Sequence, residues 1–255
     1  MTLALRDPAP PDSPLARWDA RWKLAAVVVS AIATSFLETV SLTAAAAAFT
    51  LGLAVLGRIP NRAIFGRIGL LLLAVVPVFV VVPLAQPGSD SGWDLGFVRV
   101  SIPGLLAAFA IAFRILAVGI SGLILARTGP FPQVLAAAHA LLIPGVLVQI
   151  AQLAYRYTFL FTTEAWRTRI ALRTRGFRPR TDRLTYRTLG HATGGLLVRS
   201  ADRAEAVAAA MRCRGFDGTY RTLATFRTSP YDVLGFAAVA AVSLGLVALD
   251  RFGVA

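Results

Sequence analysis

The chain has 255 residues, of which 56% are hydrophobic and 15% are charged, and its net charge is +13. Soluble domains carry about 25% charged residues, so this composition excludes an ordinary soluble domain and predicts an integral membrane protein. The single cysteine, Cys213, excludes a disulfide within the chain and argues against a cysteine-based metal site.

Residues 1–23 form a polar segment ahead of the first hydrophobic run. This segment contains Asp7, Asp12 and Asp19 and several prolines, and it has no apolar stretch of the kind found in a cleavable signal peptide. We therefore expect residues 1–23 to be a retained N-terminal segment in the cytoplasm.

Five hydrophobic runs predict the transmembrane helices, and the runs 63–84 and 102–126 are each near the roughly 20 residues that a helix needs to cross the hydrocarbon core. The first two runs are separated only by Glu38 and Thr39, which suits a tight hairpin. We predict an all-α integral membrane protein with a four-helix region at 24–127 and a C-terminal transmembrane helix within 228–255. The five runs are 24–37, 40–57, 63–84, 102–126 and 233–249.

The distribution of arginine predicts the orientation of these helices. Residues 156–227 contain 15 arginines and five carboxylates, and further basic residues precede the first run and follow the second. The positive-inside rule places all these segments in the cytoplasm and the C-terminus outside. If residues 131–150 crossed the membrane, the 15 arginines would lie outside. We therefore expect 131–150 to be a helix at the inner face, interrupted near Pro144 and Gly145.

The cytoplasmic segment 128–227 is predicted to contain two or three amphipathic helices, two of which end in the same motif. Apolar residues recur every three or four positions in both helices. The first stripe contains Leu153, Tyr157, Phe161, Ala165, Thr168 and Leu172, and the second contains Leu197, Ala201, Ala204, Ala208 and Met211. The motif reads ALRTRGF at 171–177 and AMRCRGF at 210–216, so the second copy begins 39 positions after the first.

Two interpretations of this motif differ in the role of its arginines. Gly176 and Gly215 suit the residue just past a helix end, and a cation in the last turn is favoured there, so the motif would serve only as a helix cap. Composition alone predicts roughly 0.01 copies, which favours a duplicated role. In the second interpretation, Arg175 and Arg214 pair with carboxylates of another protein, and two equivalent ends indicate two equivalent partners.

The motif and its surroundings resemble the transmembrane T component of energy-coupling factor (ECF) transporters, the CbiQ/EcfT family. The family's Ala-Arg-Gly-like motifs correspond here to Thr174-Arg175-Gly176 and Cys213-Arg214-Gly215, which depart from the pattern at the alanine. The resemblance extends over most of the chain and is weakest at 40–125. The segments that carry it are RWDARWKL (17–24), YRYTFLFTTEAWR (155–167) and LLVRSADRAEAVAAAMRCRGFDG (196–218).

The resemblance implies a non-catalytic subunit of an ATP-driven importer in a prokaryotic inner membrane. Two ABC-type ATPase subunits would dock on the coupling helices, and a membrane S component, with a small accessory membrane subunit, would bind the substrate. Residues 196–218 look most like the cobalt and nickel members. The chain itself would then need no cofactor, because ATP and magnesium would be bound by the ATPases and the metal by the S component. The docking residues implied are Arg173, Arg175, Gly176, Arg212, Arg214 and Gly215.

Other functions are less well supported by the residues. A self-contained permease or channel would need ionisable groups within the membrane, and only Arg114 qualifies, which we assign to a contact with the S component or within the membrane. An intramembrane serine protease would use the GISG segment at 119–122, for which His139 is the partner candidate. Helix packing explains those small residues better. The arginines adjoin membrane helices, so we expect contact with the lipid bilayer and none with nucleic acid.

Overall fold

The computed structural model describes residues 13, 15, 17–85, 92–94, 99–218, 226 and 228–253. This described part confirms an all-α membrane protein, with one short hairpin of strands β1 and β2 inside the loop 85–101. The elements are α1 (Ala20–Ser35), α2 (Val40–Leu56), α3 (Asn61–Ala85), β1 (Gly92–Asp94), β2 (Arg99–Ser101), α4 (Ile102–Thr128), α5 (Phe131–Ala140), α6 (Gly145–Thr174), α7 (Arg183–Cys213) and α8 (Pro230–Phe252).

Three of the described helices are long and apolar enough to cross a membrane. They provide candidate spans at Ile64–Pro83, Ile102–Thr128 and Pro230–Phe252. The apolar helix α2 has 17 residues and α1 has 16. At 1.5 Å per residue these two are about 24–26 Å long, below the roughly 30 Å of the hydrocarbon core. The count of five spans therefore stays a prediction for α1 and α2.

The chain divides into two compact units. Unit 1 contains α1 to α5 and α8, and unit 2 contains α6 and α7. Helix α5 thus belongs to the unit of the membrane helices and packs against α1, although the sequence grouped it with the segment 128–227.

Helix α4 lies at the centre of unit 1, where it packs against α1, α2 and α3. A Cβ atom on Gly119 of α4 would lie 2.4 Å from Leu71 Cδ1 on α3, so the glycine permits close approach of the two helices. The hydroxyl of buried Ser121 donates to the Val118 carbonyl at 2.8 Å. Close helix packing accounts for Gly119, and the hydroxyl of Ser121 is satisfied within α4. The apolar cluster around this contact comprises Ala54, Ile59, Ile64, Ile120, Leu123 and Ile124.

Polar side chains join three helix termini at one end of unit 1. The buried carboxylate of Asp232, at the start of α8, accepts from the Ser229 amide at 2.8 Å and from the Asp19 amide at 3.2 Å. The Lys23 ammonium, near the start of α1, donates to the Thr128 carbonyl at the end of α4, at 3.1 Å. The starts of α1 and α8 and the end of α4 therefore meet at this end.

A second polar cluster lies where α1 and α8 end. The carboxylate of Asp250 in α8 accepts from the amide of Glu38 at 2.7 Å and from the amide of Thr39 at 3.2 Å, just after α1. Because α1 and α8 meet at their starts and again at their ends, they run parallel. The two ends of this bundle are thus the Asp232 end and the Asp250 end.

Candidate functional site

The chain enters α6 through a break in the apolar run 131–150. Helix α5 ends at Ala140, Leu142 adopts a left-handed backbone conformation with φ of 70°, and Pro144 is the N-cap of α6. Proline fixes its own backbone and disfavours a helical residue before it. The predicted interruption near Pro144 and Gly145 is confirmed.

The first copy of the motif ends α6 in a Schellman cap. The Phe177 amide donates to the Leu172 carbonyl at 3.0 Å, and the Gly176 amide donates to the Arg173 carbonyl at 3.0 Å. Gly176 has φ of 75°, the left-handed conformation that this cap requires just past the helix. The cap thereby satisfies two carbonyls that the helix end would leave free.

The second copy repeats these bonds at the end of α7. The Phe216 amide donates to the Met211 carbonyl at 3.1 Å, the Gly215 amide donates to the Arg212 carbonyl at 3.0 Å, and Gly215 has φ of 77°. A hydrophobic residue after the glycine commonly accompanies the cap, which accounts for the phenylalanine in both copies. The repeated sequence is therefore a repeated structure.

The arginines of the motif are not needed for the cap. Arg173, Arg175, Arg212 and Arg214 are all exposed. The structure shows no side-chain hydrogen bond or ion pair from these four to any residue within the described ranges. Backbone atoms make the Schellman bonds, so any residue that tolerates a helix end could replace them. The pairs of exposed cations are the part of the motif that the fold itself leaves unexplained.

The first cap also borders a cleft between α6 and α7. The cleft has a volume of about 310 Å³ and is lined by apolar side chains that include Leu172, Phe177 and Leu196, with Arg169 and Arg173 at its edge. Phe177 is half-buried there, whereas Phe216 is exposed. The two caps thus share their hydrogen bonds but differ in what covers the phenylalanine.

The half-buried faces of α6 and α7 differ in part from the predicted apolar stripes. Ala165 in the first predicted stripe is exposed, as are four members of the second. The half-buried face of α7 lies mostly one position earlier in each turn than the predicted apolar stripe, so most of that stripe is exposed. The exposed members are Leu197, Ala201, Ala204 and Ala208, and the half-buried face contains Leu196, Ser200, Arg203, Val207 and Met211.

An ion-pair cluster that the sequence did not reveal joins the two helices of unit 2. Glu164 of α6 lies 3.5 Å from the Arg199 Nε atom and 3.5 Å from an Arg203 Nη atom, both on α7. Its carboxylate is about three-quarters buried. Arg203 follows Glu164 by 39 positions, the same spacing as that of the motif, and this equality was the available signal.

Arg114 lies at the opposite end of unit 1 from Asp232. Its guanidinium donates to the Leu37 carbonyl just past the end of α1, while its Nε atom is buried with no partner among the described residues. A cation at a helix C-terminus is favoured by the exposed carbonyls. Arg114 therefore binds the backbone just past the end of α1, and contact with an S component stays a prediction.

Metal ligands do not cluster in the part of the chain that the structure describes, where no group of three or more His, Cys, Asp or Glu residues is placed to hold a metal ion.

Comparison with known proteins identifies the family. A family model described as CbiQ, cobalt transport protein, matches residues 11–224. The chain belongs to the CbiQ cobalt transport protein family. A curated relative, the cobalt transport protein CbiQ of Rhodobacter capsulatus, is 29% identical over 201 residues, which cover 78% of each chain. The chain is therefore a membrane component of a cobalt-transport family, and the CbiQ match includes both Arg-Gly ends.

Proposed function

We propose that this CbiQ-family chain is the T subunit of an ECF-type ABC importer. In this role it transmits ATP hydrolysis by two partner ATPases to a membrane S component that binds cobalt or nickel. It would lie in a prokaryotic inner membrane with its N-terminus in the cytoplasm. The observation that carries the proposal is the pair of caps with the same hydrogen bonds, whose exposed arginines have no side-chain partner among the described residues.

The arginine pairs suit a protein partner with carboxylates in a groove. A guanidinium group is planar and remains charged, so it can bind a carboxylate through two parallel hydrogen bonds. Arg175 and Arg214 occupy the same position in the two caps. Two equivalent ends fit two equivalent subunits, which supports a pair of ATPases as the partner.

Exposed apolar surface on α6 and α7 supports the same proposal. Trp166 and Ile170 of α6 are about half exposed, and the alanine-rich stripe that begins at Leu197 faces away from α6. Contiguous exposed apolar surface marks protein or membrane contacts. Unit 2 therefore combines apolar area with arginine at its helix ends, as a docking surface for another subunit would.

The source of energy lies outside this chain in the proposal. A phosphate-binding loop of the P-loop type needs a Gly-Lys-Ser/Thr sequence. The only lysine is Lys23, which is buried and donates to the Thr128 carbonyl. ATP and magnesium would thus be bound by the partner ATPases.

The metal would likewise be bound by another subunit. Cobalt and nickel prefer imidazole, thiolate or carboxylate ligands, and the described residues bring no such cluster together. We assign metal recognition to the S component, and to this chain the mechanical connection between that component and the ATPases.

The test is to replace Arg175, Arg214 or both by glutamate in the assembled transporter. An interfacial arginine–carboxylate pair that becomes a like-charge contact costs about 2–5 kcal/mol, which is a roughly thirtyfold to several-thousandfold loss of affinity. We expect each variant to insert and retain the S component but to lose ATPase subunits and metal uptake. Pull-down from detergent extract measures the recovery of each partner.

Arg156→Glu is the matched control, because Arg156 is an exposed arginine of α6 that lies 19 positions before Arg175. It should leave ATPase recovery unchanged. Normal ATPase recovery with normal uptake in the Arg175→Glu/Arg214→Glu variant would contradict the proposal. The motif would then serve only as a helix cap. Uptake by the chain without any ATPase would favour a self-contained permease.

A further inference from the structure

Helices α6 and α7 have almost the same length and end in the same motif. Moving the bounds of α6, Gly145–Thr174, forward by the 39 positions that separate the two motif copies gives 184–213, and α7 is Arg183–Cys213. Both helices end in the same Schellman cap. The two helices thus correspond in length and in the structure of their ends.

The same spacing relates the faces that the two helices turn inward. Among the half-buried positions of α6, five that recur at intervals of three or four between Tyr157 and Leu172 each have a half-buried equivalent 39 positions later on α7. The equivalent pairs are Tyr157 and Leu196, Phe161 and Ser200, Glu164 and Arg203, Thr168 and Val207, and Leu172 and Met211. Two helices that pack through equivalent faces have the arrangement of a two-fold symmetric dimer.

One ion pair joins two equivalent positions of α6 and α7. Glu164 and Arg203 are equivalent positions, and their side chains are in contact at 3.5 Å. In a two-fold arrangement, only a residue at the axis contacts its own equivalent. Identical charges at this position would repel each other, whereas the chain has an acid in one copy and a base in the other. Arg199 adds a second cation to the same carboxylate.

The two motif ends lie at matched distances from this pair. Arg175 follows Glu164 by 11 positions, and Arg214 follows Arg203 by the same number. At 1.5 Å per residue each end is about 16 Å along its helix from the crossing. Sliding one helix past the other by a single turn would shift one end by about 5.4 Å and make the two distances unequal.

We propose that the Glu164–Arg203 pair lies on a pseudo-two-fold axis of unit 2 and is the positioning pair that sets the crossing of α6 and α7. It thereby holds the two Arg-Gly ends in the spacing that two subunits require. The role in spacing the two ends for partner subunits rests on the proposed function, whereas the axis and the helix crossing concern this chain alone.

The separation of the two ends can be measured with spin labels, because Cys213 is the single cysteine and its equivalent on α6 is Thr174. Labels on Cys213 and on Thr174→Cys leave every arginine in place. Pulsed electron spin resonance on the full chain in lipid nanodiscs then gives the distribution of distances between them. We expect one narrow distribution for the chain with its native ion pairs.

Reversal of the charge tests the pair. Glu164→Arg brings three cations together, so we expect the distribution to broaden or to shift by about 5 Å, one helical turn. The triple variant Glu164→Arg/Arg199→Glu/Arg203→Glu restores opposite charges and should restore the narrow distribution. Glu205→Arg is the matched control, since Glu205 is an exposed carboxylate of α7 and has the same change of charge.

Each result decides the proposal. A Glu164→Arg distribution that matches the control would overturn it, as would a triple variant that stays as broad as the single one. If Glu164→Arg does not insert, Glu164→Gln removes the attraction without adding repulsion and should broaden the distribution for the same reason. Unchanged ATPase recovery in the Arg175→Glu/Arg214→Glu variant would instead contradict the proposed function and leave the distance result standing.

Discussion

The residues of the repeated motif divide between two tasks. Gly176 and Phe177 build the cap, because the left-handed conformation and the hydrogen bonds after Leu172 involve them directly. Arg173 and Arg175 are exposed on either side of Thr174 and contribute no atom beyond the backbone to the cap. The structure thus separates what the helix end needs from what an external partner would recognise.

Replacement of either capping glycine by alanine should loosen the last turn of its helix. A left-handed conformation costs a residue with a Cβ atom roughly 1–2 kcal/mol, although no heavy atom lies within 4 Å of the added methyl group. We expect Gly176→Ala and Gly215→Ala to increase hydrogen exchange of the Phe177 and Phe216 amides, respectively, about 5–30-fold. Exchange of unit 1 should not change.

Gly190→Ala provides the control for these two variants, since Gly190 lies within α7, is exposed and also has open space around it. Alanine is favoured over glycine inside a helix by about 0.5–1 kcal/mol, so exchange in α7 should slow. If Gly176→Ala slowed exchange as Gly190→Ala does, the cap would not depend on the left-handed glycine.

The sequence predicted the motif residues but not the ion pair that joins α6 to α7. Arg-x-Arg-Gly-Phe stands out because glycine and phenylalanine are rare enough to make a chance repeat improbable. Glu164, Arg199 and Arg203 do not stand out in an arginine-rich segment. Their pairing depends on how two helices cross, which local sequence does not specify.

At the scale of helices, hydrophobic patterning indicates where each helix lies along the sequence but not which of its faces is buried. The run 102–126 corresponds to Ile102–Thr128, and 40–57 corresponds to Val40–Leu56. On α7 the most apolar stripe, which begins at Leu197, is exposed, and the inward face includes Arg203. A periodic pattern detects an apolar face, but that face need not pack against another part of the same chain.

Helix termini in unit 1 are joined by side chains whose partners are distant in sequence. Asp232 closes a capping box with Ser229 and also accepts from the Asp19 amide, 213 residues away. The sequence did not predict this long-range contact, because a carboxylate near the start of α8 is expected to cap only that helix. The joint fixes the start of α1 against the start of α8.

Asp232→Ala should therefore destabilise unit 1. The substitution leaves the amides of Asp19 and Ser229 without their acceptor in a buried place, at a cost of about 1–3 kcal/mol. For a chain of this size we expect the midpoint of thermal unfolding in detergent to fall by roughly 2–12 °C. Asp202→Ala, at an exposed position of α7, should change the midpoint of unfolding little. An equal fall in both variants would contradict a stabilising role for the Asp232 contacts.

On the scale of the whole molecule, unit 1 has two distinct ends. Lys23 joins Thr128, and Asp19 joins Asp232, so the end of α4 and the start of α8 lie at the same end as the start of α1. Asp250 lies at the other end with Thr39. The end of α4 and the start of α8 thus lie at one end of the bundle, so the residues between them need not cross the membrane, as the predicted placement of 156–227 requires.

The orientation of the chain across the membrane can be measured by cysteine labelling. With the Asp232 end in the cytoplasm, native Cys213 should be protected from a membrane-impermeant maleimide in right-side-out vesicles and should react after denaturation. Phe252→Cys in a Cys213→Ser background should react without denaturation, because Phe252 is 83% exposed and lies two positions beyond Asp250. The physical basis is the positive-inside rule together with the parallel α1 and α8. Labelling of Cys213 in intact vesicles, or protection of the cysteine at position 252, would show that the chain is oriented differently.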